Sequence, residues 1–285
     1  MRRLSFQQVD VFTTVPFKGN PVAVVLDGDQ VSQEEAQAIA RWTNLSETTF
    51  VSAPTHPKAD YRLRIFTPRS ELPFAGHPTI GSAHAVLRHG LKPRTPGRLV
   101  QECGKGLVSL RIEDDQIHFE LPACTHREPA AGEVATVAGA LGIAASSILL
   151  ASIVDVGPVW LTLQAPDAGT VLAMQPDMER LAQSAPAGVT GVTVFGLYPD
   201  GSPADLEVRS FAPADGVPED PVCGSGNGCV AALIQRDRVA DFSRYVAAQG
   251  RCLGRDGRVH VHYADDGAIW VGGSAVTCVE GTLTA

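Results

Sequence analysis

The sequence predicts an α+β fold made of two pseudo-repeated halves, each a buried central helix wrapped by a mixed or antiparallel sheet. Three observations predict it. Short strand-like segments run along the whole chain and outnumber the helical ones. Two of the helical segments, GSAHAVL and GNGCVAALI, are apolar on nearly all faces, which is the pattern of a helix buried all round. Both follow matching motifs: Arg64, Phe66 and Pro68 of RIFTP answer to Arg209, Phe211 and Pro213 of RSFAP, and A-G-H-P at 75–78 answers to C-G-S-G at 223–226. From phenylalanine to glycine the first copy spans 10 residues and the second 13, so the repeat carries a length difference of three.

The elements follow in order. FQQVDVF and PVAVVL read as strands, and SQEEAQAIARWT at 32–43 as a helix with Ser32 and Glu35 in capping-box positions. NLSETTFV is a turn that leads into a strand, and ADYRLRIF alternates polar and apolar as a half-buried strand does. PTIGSAHAVLRHG at 78–90 is a helix with Pro78 first and Gly90 as its stop, which leaves His77 at the N-cap; strands follow at about 98–121. The Pro/Ala/Gly/Glu-rich PACTHREPAAGE divides the chain into halves 1–127 and 128–285, with a return of the final strand to the first half as a variant. Beyond it come strands at ILLASIV and VWLTLQ, a short helix near 177–184, strands at VTVFGLY and ADLEVRSF, and a buried helix over 226–236. Short strands and turns fill the rest.

Composition removes several classes. A length of 285 residues suits two domains, since single cores stop growing near that size. The net charge of −8 and the thin scatter of 23 basic residues leave no cluster able to neutralise phosphates, which argues against nucleic acid. The six cysteines form no C-x-x-C pair and no regular spacing, against both a zinc site and a disulfide framework, and a reducing cytoplasm fits best. LSFQQVDVF after Arg2 and Arg3 is too polar for the core of a signal peptide. The uncharged run 134–154 is rich in Ala, Ser and Gly and flanked by Glu133 and Asp155, so it reads as a small helix ending near Gly142 plus a strand, not a membrane span.

Most catalytic templates fail. Ser225 lacks the glycines of G-x-S-x-G, because Cys223 and Asn227 occupy those positions, and the glycines at 224, 226 and 228 lack a P-loop lysine. His260 and His262 alternate on a strand with no third ligand nearby, so no metal site is expected. What remains is an acid/base set: Glu47, His77 and Asp220. Each has an ordinary alternative, as a solvated turn carboxylate, a capping or core histidine, and an Asp-Pro turn starter. If the starts of the two buried helices faced one another across a cleft, their N–H groups and dipole ends would converge on one point and receive a carboxylate.

VDVFTTVPFKGNPVAVV, SETTFV, RIFTPRSELPFAGHPTIG, RSFAPADGVPEDPVCGSGN and the terminal VGGSAV with EGTL resemble, in that order, the PhzF-like family of phenazine-biosynthesis-type isomerases. The resemblance covers essentially the whole chain and implies a diaminopimelate epimerase-like fold, with the active site between two similar domains, and a homodimer. It implies Glu47 as the acid/base, His77 and Asp220 lining the site, and Gly76, Gly224 and Ser225 binding substrate through backbone donors. No cofactor is implied. One departure stands out: the family commonly reads D-P-A-T-G-S, whereas this chain has Cys223 in place of the threonine. In related two-base epimerases cysteines precede both equivalent glycines; here the first such position is Ala75.

The expected activity is therefore a cofactor-independent isomerase that shifts a proton or double bond in a small anionic metabolite. An epimerase, racemase or dehydratase with Cys223 as second base is the alternative enzyme, and a non-catalytic carboxylate-binding protein the alternative from another class. For Cys223 a helix start favours the thiolate, while burial and Asp220 oppose it; the second pair is expected to win.

Overall fold

The computed structural model describes all residues, 1–285. They divide into two compact units, Met1–Glu120 with Gly272–Ala285, and Leu121–Val271.

The first unit contains β1 (Arg3–Val11), β2 (Asn20–Val25), α1 (Gln33–Thr43), β3 (Thr48–Ser52), β4 (Tyr61–Phe66), β5 (Glu71–Leu72), α2 (Gly76–Arg88), β6 (Arg98–Cys103), β7 (Gly106–Glu113) and β8 (Gln116–Glu120). The second contains β9 (Thr125–Arg127), α3 (Glu133–Leu141), β10 (Leu150–Asp155), β11 (Val159–Gln164), α4 (Ala168–Ala173), α5 (Met178–Ser184), β12 (Gly191–Leu197), β13 (Leu206–Ala212), β14 (Val217–Asp220), α6 (Gly224–Asp237), β15 (Arg244–Gln249) and β16 (Gly257–Tyr263). After β17 (Ile269–Gly273), the chain ends in β18 (Ala275–Thr284), which pairs antiparallel with β1.

The strand pairings repeat. In the first unit β1 and β2 are antiparallel, β2 and β3 parallel, β3 and β4 antiparallel, and β4 is antiparallel to β5 and parallel to β6. In the second, β10, β11, β12, β13, β14 and β15 pair in the same sequence of senses. Each parallel pair needs a crossover, and helices supply it: α1 before β3, α4 and α5 before β12, α2 before β6 and α6 before β15. β9 flanks β10 as β18 flanks β1, so this outer strand precedes its partner in the second unit and comes from the C-terminal segment in the first.

Local sequence explains several boundaries. Ser32 accepts from the Glu35 amide while Glu35 accepts from the Ser32 amide, so both members of the capping box are in place at α1. Asn44 ends that helix in the left-handed conformation, which asparagine tolerates. α3 stops at Gly142, also left-handed, and the run 134–154 divides into that helix and β10; no helix of the chain is long and apolar enough to cross a membrane. α2 is buried along nearly its whole length, and Gly81 permits the approach: a Cβ there would lie 2.4 Å from Val22 Cγ1.

Three readings need correction. α2 begins at Gly76 with Ala75 as its cap, so Pro78 is the third helical residue and His77 the second, not the N-cap. Proline fits anywhere in a first turn, where N–H groups have no intrahelical acceptor, so its position could not set the start. α6 likewise begins at Gly224, two residues early. α4 escaped the sequence reading altogether; it has six residues, and Asp167 caps it by accepting from the Thr170 amide. The three extra residues of the second repeat fall between Arg209 and Glu219, where the Pro213–Asp215 turn sits, because from Glu71 to Gly76 and from Glu219 to Gly224 the spacing is the same.

Candidate active site

Glu47 lies at the turn between α1 and β3, and α2 carries His77 toward it. Glu47 Oε2 stands 3.3 Å from His77 Nε2, with side chains only 15% and 7% exposed. His77 Nδ1 lies 3.5 Å from the side-chain nitrogen of buried Asn20. An amide nitrogen only donates, so Nδ1 is the acceptor of this contact and Nε2 is the ring nitrogen that faces Glu47. Asn20 is thus a site residue that the sequence reading quoted, within GNPVAVV, without singling it out.

Burial pushes the Glu47 carboxyl up to about 7, with a Ser46 hydrogen bond pulling weakly the other way. Burial is the cause, rather than a neighbouring anion. That value brings the carboxyl close to the ordinary imidazole range, so a proton costs little to move on or off it at neutral pH. It also has a stability consequence. The folded chain holds this proton more tightly than the unfolded one, so its contribution is complete below the unfolded value near 4.5 and is lost as pH rises to about 7. Wild type should therefore lose about 3 kcal/mol relative to Glu47→Gln across that window and nothing further above it. Paired urea titrations between pH 4 and 8 check this; parallel curves would deny the burial effect.

The other named residues gather at the start of α6. Cys223 is its N-cap, and Sγ accepts from the Gly226 amide at 3.2 Å. Asp220 Oδ1 accepts from the Val222 amide at 3.0 Å, the turn-starting bond expected of Asp-Pro. Gln249, missed in the sequence, ties this start together: Oε1 accepts from the Cys223 amide and from Asn227 Nδ2, and Nε2 donates to the Asp220 carbonyl. Gly224 and Ser225 follow as the first two helical residues, as Gly76 and His77 do in α2, and the amides of a first turn have no acceptor within their helix.

Burial first, and the Asp220 charge second, push the Cys223 thiol well above its usual range. A neutral thiol that already accepts a backbone hydrogen bond is a poor base. Cys223→Thr, which keeps an acceptor at the cap, is accordingly expected to change turnover by less than about tenfold, or 1.4 kcal/mol. A loss of a hundredfold or more in steady-state rate would make Cys223 a second base.

Strand register locates the counterparts of the first unit's pair. Thr48 pairs with Phe66 and Val192 with Phe211, so Gly191 stands where Glu47 does. Ala23 pairs with Thr48 and Leu161 with Val192, so Trp160 stands where Val22 does. The second unit therefore has no carboxylate at this position, nor room for one, since a Cβ on Gly191 would lie 2.1 Å from the Phe211 carbonyl oxygen.

Residues 9–281 match the family model described as phenazine biosynthesis-like protein. The chain is 44% identical to antisense-enhancing sequence 1 of Schizosaccharomyces pombe, over 99% of both chains. It is 32% identical to the trans-2,3-dihydro-3-hydroxyanthranilate isomerase of Pseudomonas aeruginosa, over 96% of both. Among solved structures it superposes on a PhzF-family phenazine biosynthesis protein of Bacillus anthracis with a TM-score of 0.87, at 24% identity and complete coverage of both, which is a likeness of fold. The twice-built α+β fold and these relatives make the chain an isomerase. It belongs to the phenazine biosynthesis-like, PhzC-PhzF family.

Proposed function

We propose that the enzyme moves a proton, and with it a double bond, between carbons of a small carboxylate-bearing metabolite, with Glu47 as the single acid/base. The observation that carries this reading is the enclosed Glu47 carboxyl, raised to about 7 and set against His77. In the ionised state it takes a proton from an acidified carbon, leaving an enolate-like or dienolate charge, and, once that proton has exchanged with solvent, it delivers one as the acid to a different carbon. The His77 Nε2–H steadies the carboxylate between the two transfers. On this reading the Gly76 amide in the first unit, and Asp220, Cys223 and the Gly224 and Ser225 amides in the second, serve substrate binding.

An isomerase relative acts, by its name, on trans-2,3-dihydro-3-hydroxyanthranilate, an amino-acid-like ring carboxylate with a hydrogen to shift. That compound therefore heads a panel of small carboxylates to be incubated in deuterium oxide and followed by mass spectrometry. Incorporation of one deuterium at carbon, in an isomer otherwise unchanged in composition, is the expected result. Binding without incorporation across the panel would instead favour a carboxylate-binding protein.

A further inference from the structure

We infer that Trp160 is a positioning residue for the substrate: its indole N–H holds the Ser225 hydroxyl so that Ser225 presents its own O–H to the substrate's carboxylate. The inference rests on the reading that the start of α6 lines the substrate site.

Trp160 Nε1 donates to Ser225 Oγ at 3.0 Å. The indole is 3% exposed, whereas Ser225, unlike Cys223, Gly224 and Gly226 around it, is only partly buried. An indole N–H can only donate, while a serine hydroxyl has one proton and two lone pairs. Trp160 therefore occupies an acceptor position of Ser225 and leaves its proton to be donated elsewhere. Without a ligand the acceptor within reach is Cys223 Sγ, 3.6 Å away, a weak one already engaged by the Gly226 amide. A carboxylate oxygen is a far better acceptor, and the hydroxyl's proton would turn to it, its donor strength raised by the bond it accepts.

The repeat gives this contact its meaning. Ser225 occupies in α6 the place of His77 in α2, and Gly191 the place of Glu47. Where the first unit grips the second residue of its central helix with a carboxylate, the second unit grips it with an indole from the adjacent strand. Gly191 is what admits the ring: a Cβ there would lie 2.9 Å from Trp160 Cζ3. At equivalent places, then, the first unit carries a group that exchanges protons and the second a fixed neutral donor.

The test has two arms. In ligand-free, nitrogen-15-labelled protein, the indole resonance that vanishes in Trp160→Phe is assigned to Trp160, and in Ser225→Ala it should move upfield as its acceptor is lost. An indole resonance indifferent to Ser225→Ala overturns the inference, and because Ser225 is partly exposed its loss leaves the core intact. The second arm uses trans-2,3-dihydro-3-hydroxyanthranilate as substrate. Loss of a contact made equally in ground and transition states should raise KM about tenfold for Trp160→Phe and for Ser225→Ala, with kcat within about twofold. The double variant should be no worse than Ser225→Ala alone. Additive losses, or a fall in kcat with KM unchanged, would mean that Trp160 acts through packing. If the wild type does not turn over this compound, the isomerase reading fails for that substrate, while the indole resonance still decides the Trp160–Ser225 pair.

Discussion

Glutamine at position 47 should leave the fold and ligand affinity nearly intact while lowering exchange of the substrate's proton by a factor on the order of 10² to 10⁴. Glutamine preserves the shape of the side chain and can still meet the His77 ring 3.3 Å away, yet it has no proton to take or give. Such a factor corresponds to about 3 to 5 kcal/mol of barrier, a usual size for the loss of a positioned acid/base. The measurement is deuterium incorporation at carbon under saturating substrate, with affinity measured separately by calorimetry. Wild-type exchange in this variant would remove Glu47 from the mechanism and leave His77 as the group to test. For the intact enzyme, kcat/KM should rise with pH and level off above about 7, since abstraction needs the carboxylate and burial places its midpoint there.

The second large effect concerns stability and sets the two copies of one motif against each other. Arg209 is bonded in bidentate fashion to Glu219, both contacts at 2.9 Å, with side chains 5% and 7% exposed. A third nitrogen position reaches the carbonyls of Val171 and Met174 at the end of α4, and the guanidinium lies 5.0 Å from the centre of the Phe211 ring. Arg209→Met strands Glu219 as a buried charge and leaves the α4 carbonyls without their donor, so a loss of about 3 to 5 kcal/mol is expected. The counterpart Arg64 pairs with Glu71 in the same bidentate way and lies 4.8 Å from the Phe66 ring centre, but its pair is 21% and 33% exposed. Water can solvate whatever remains, so Arg64→Met should cost about 1 kcal/mol or less. Urea unfolding of the two variants side by side is the check. Equal losses would mean that burial does not govern these pairs.

The repeat was legible because it rests on local requirements. R-x-F-x-P marks a strand that pairs on both sides and then turns, and a helix apolar on all faces is stable only where it is buried. The capping box at Ser32 and Glu35 and the glycine stop at Gly142 are decided by atoms within a few residues of one another, so they could be read directly. The start of α2 could not, because glycine, histidine and proline all tolerate a first turn and nothing in that sequence ranks Gly76 against Pro78.

What the sequence by itself determined is the fold class, the two buried helices, and a short set of residues with suitable chemistry at their starts: Glu47 and His77, and Asp220, Cys223, Gly224 and Ser225. Spacing along a chain can propose such a set but carries no distances. Only the tertiary structure decided that Glu47 is enclosed and within 3.3 Å of His77, which is what lifts a turn carboxylate from its ordinary range to about 7. Only it revealed Asn20, Gln249 and Trp160 as the groups that orient His77, the Cys223 cap and Ser225. These three lie on strands 57, 26 and 65 residues away from the atoms they contact, and long-range pairing of strands, not local pattern, brought them there. The same pairing put Gly191 at the second unit's equivalent of Glu47, and the lack of space for a Cβ beside the Phe211 carbonyl is why two like halves carry only one carboxylate at that place.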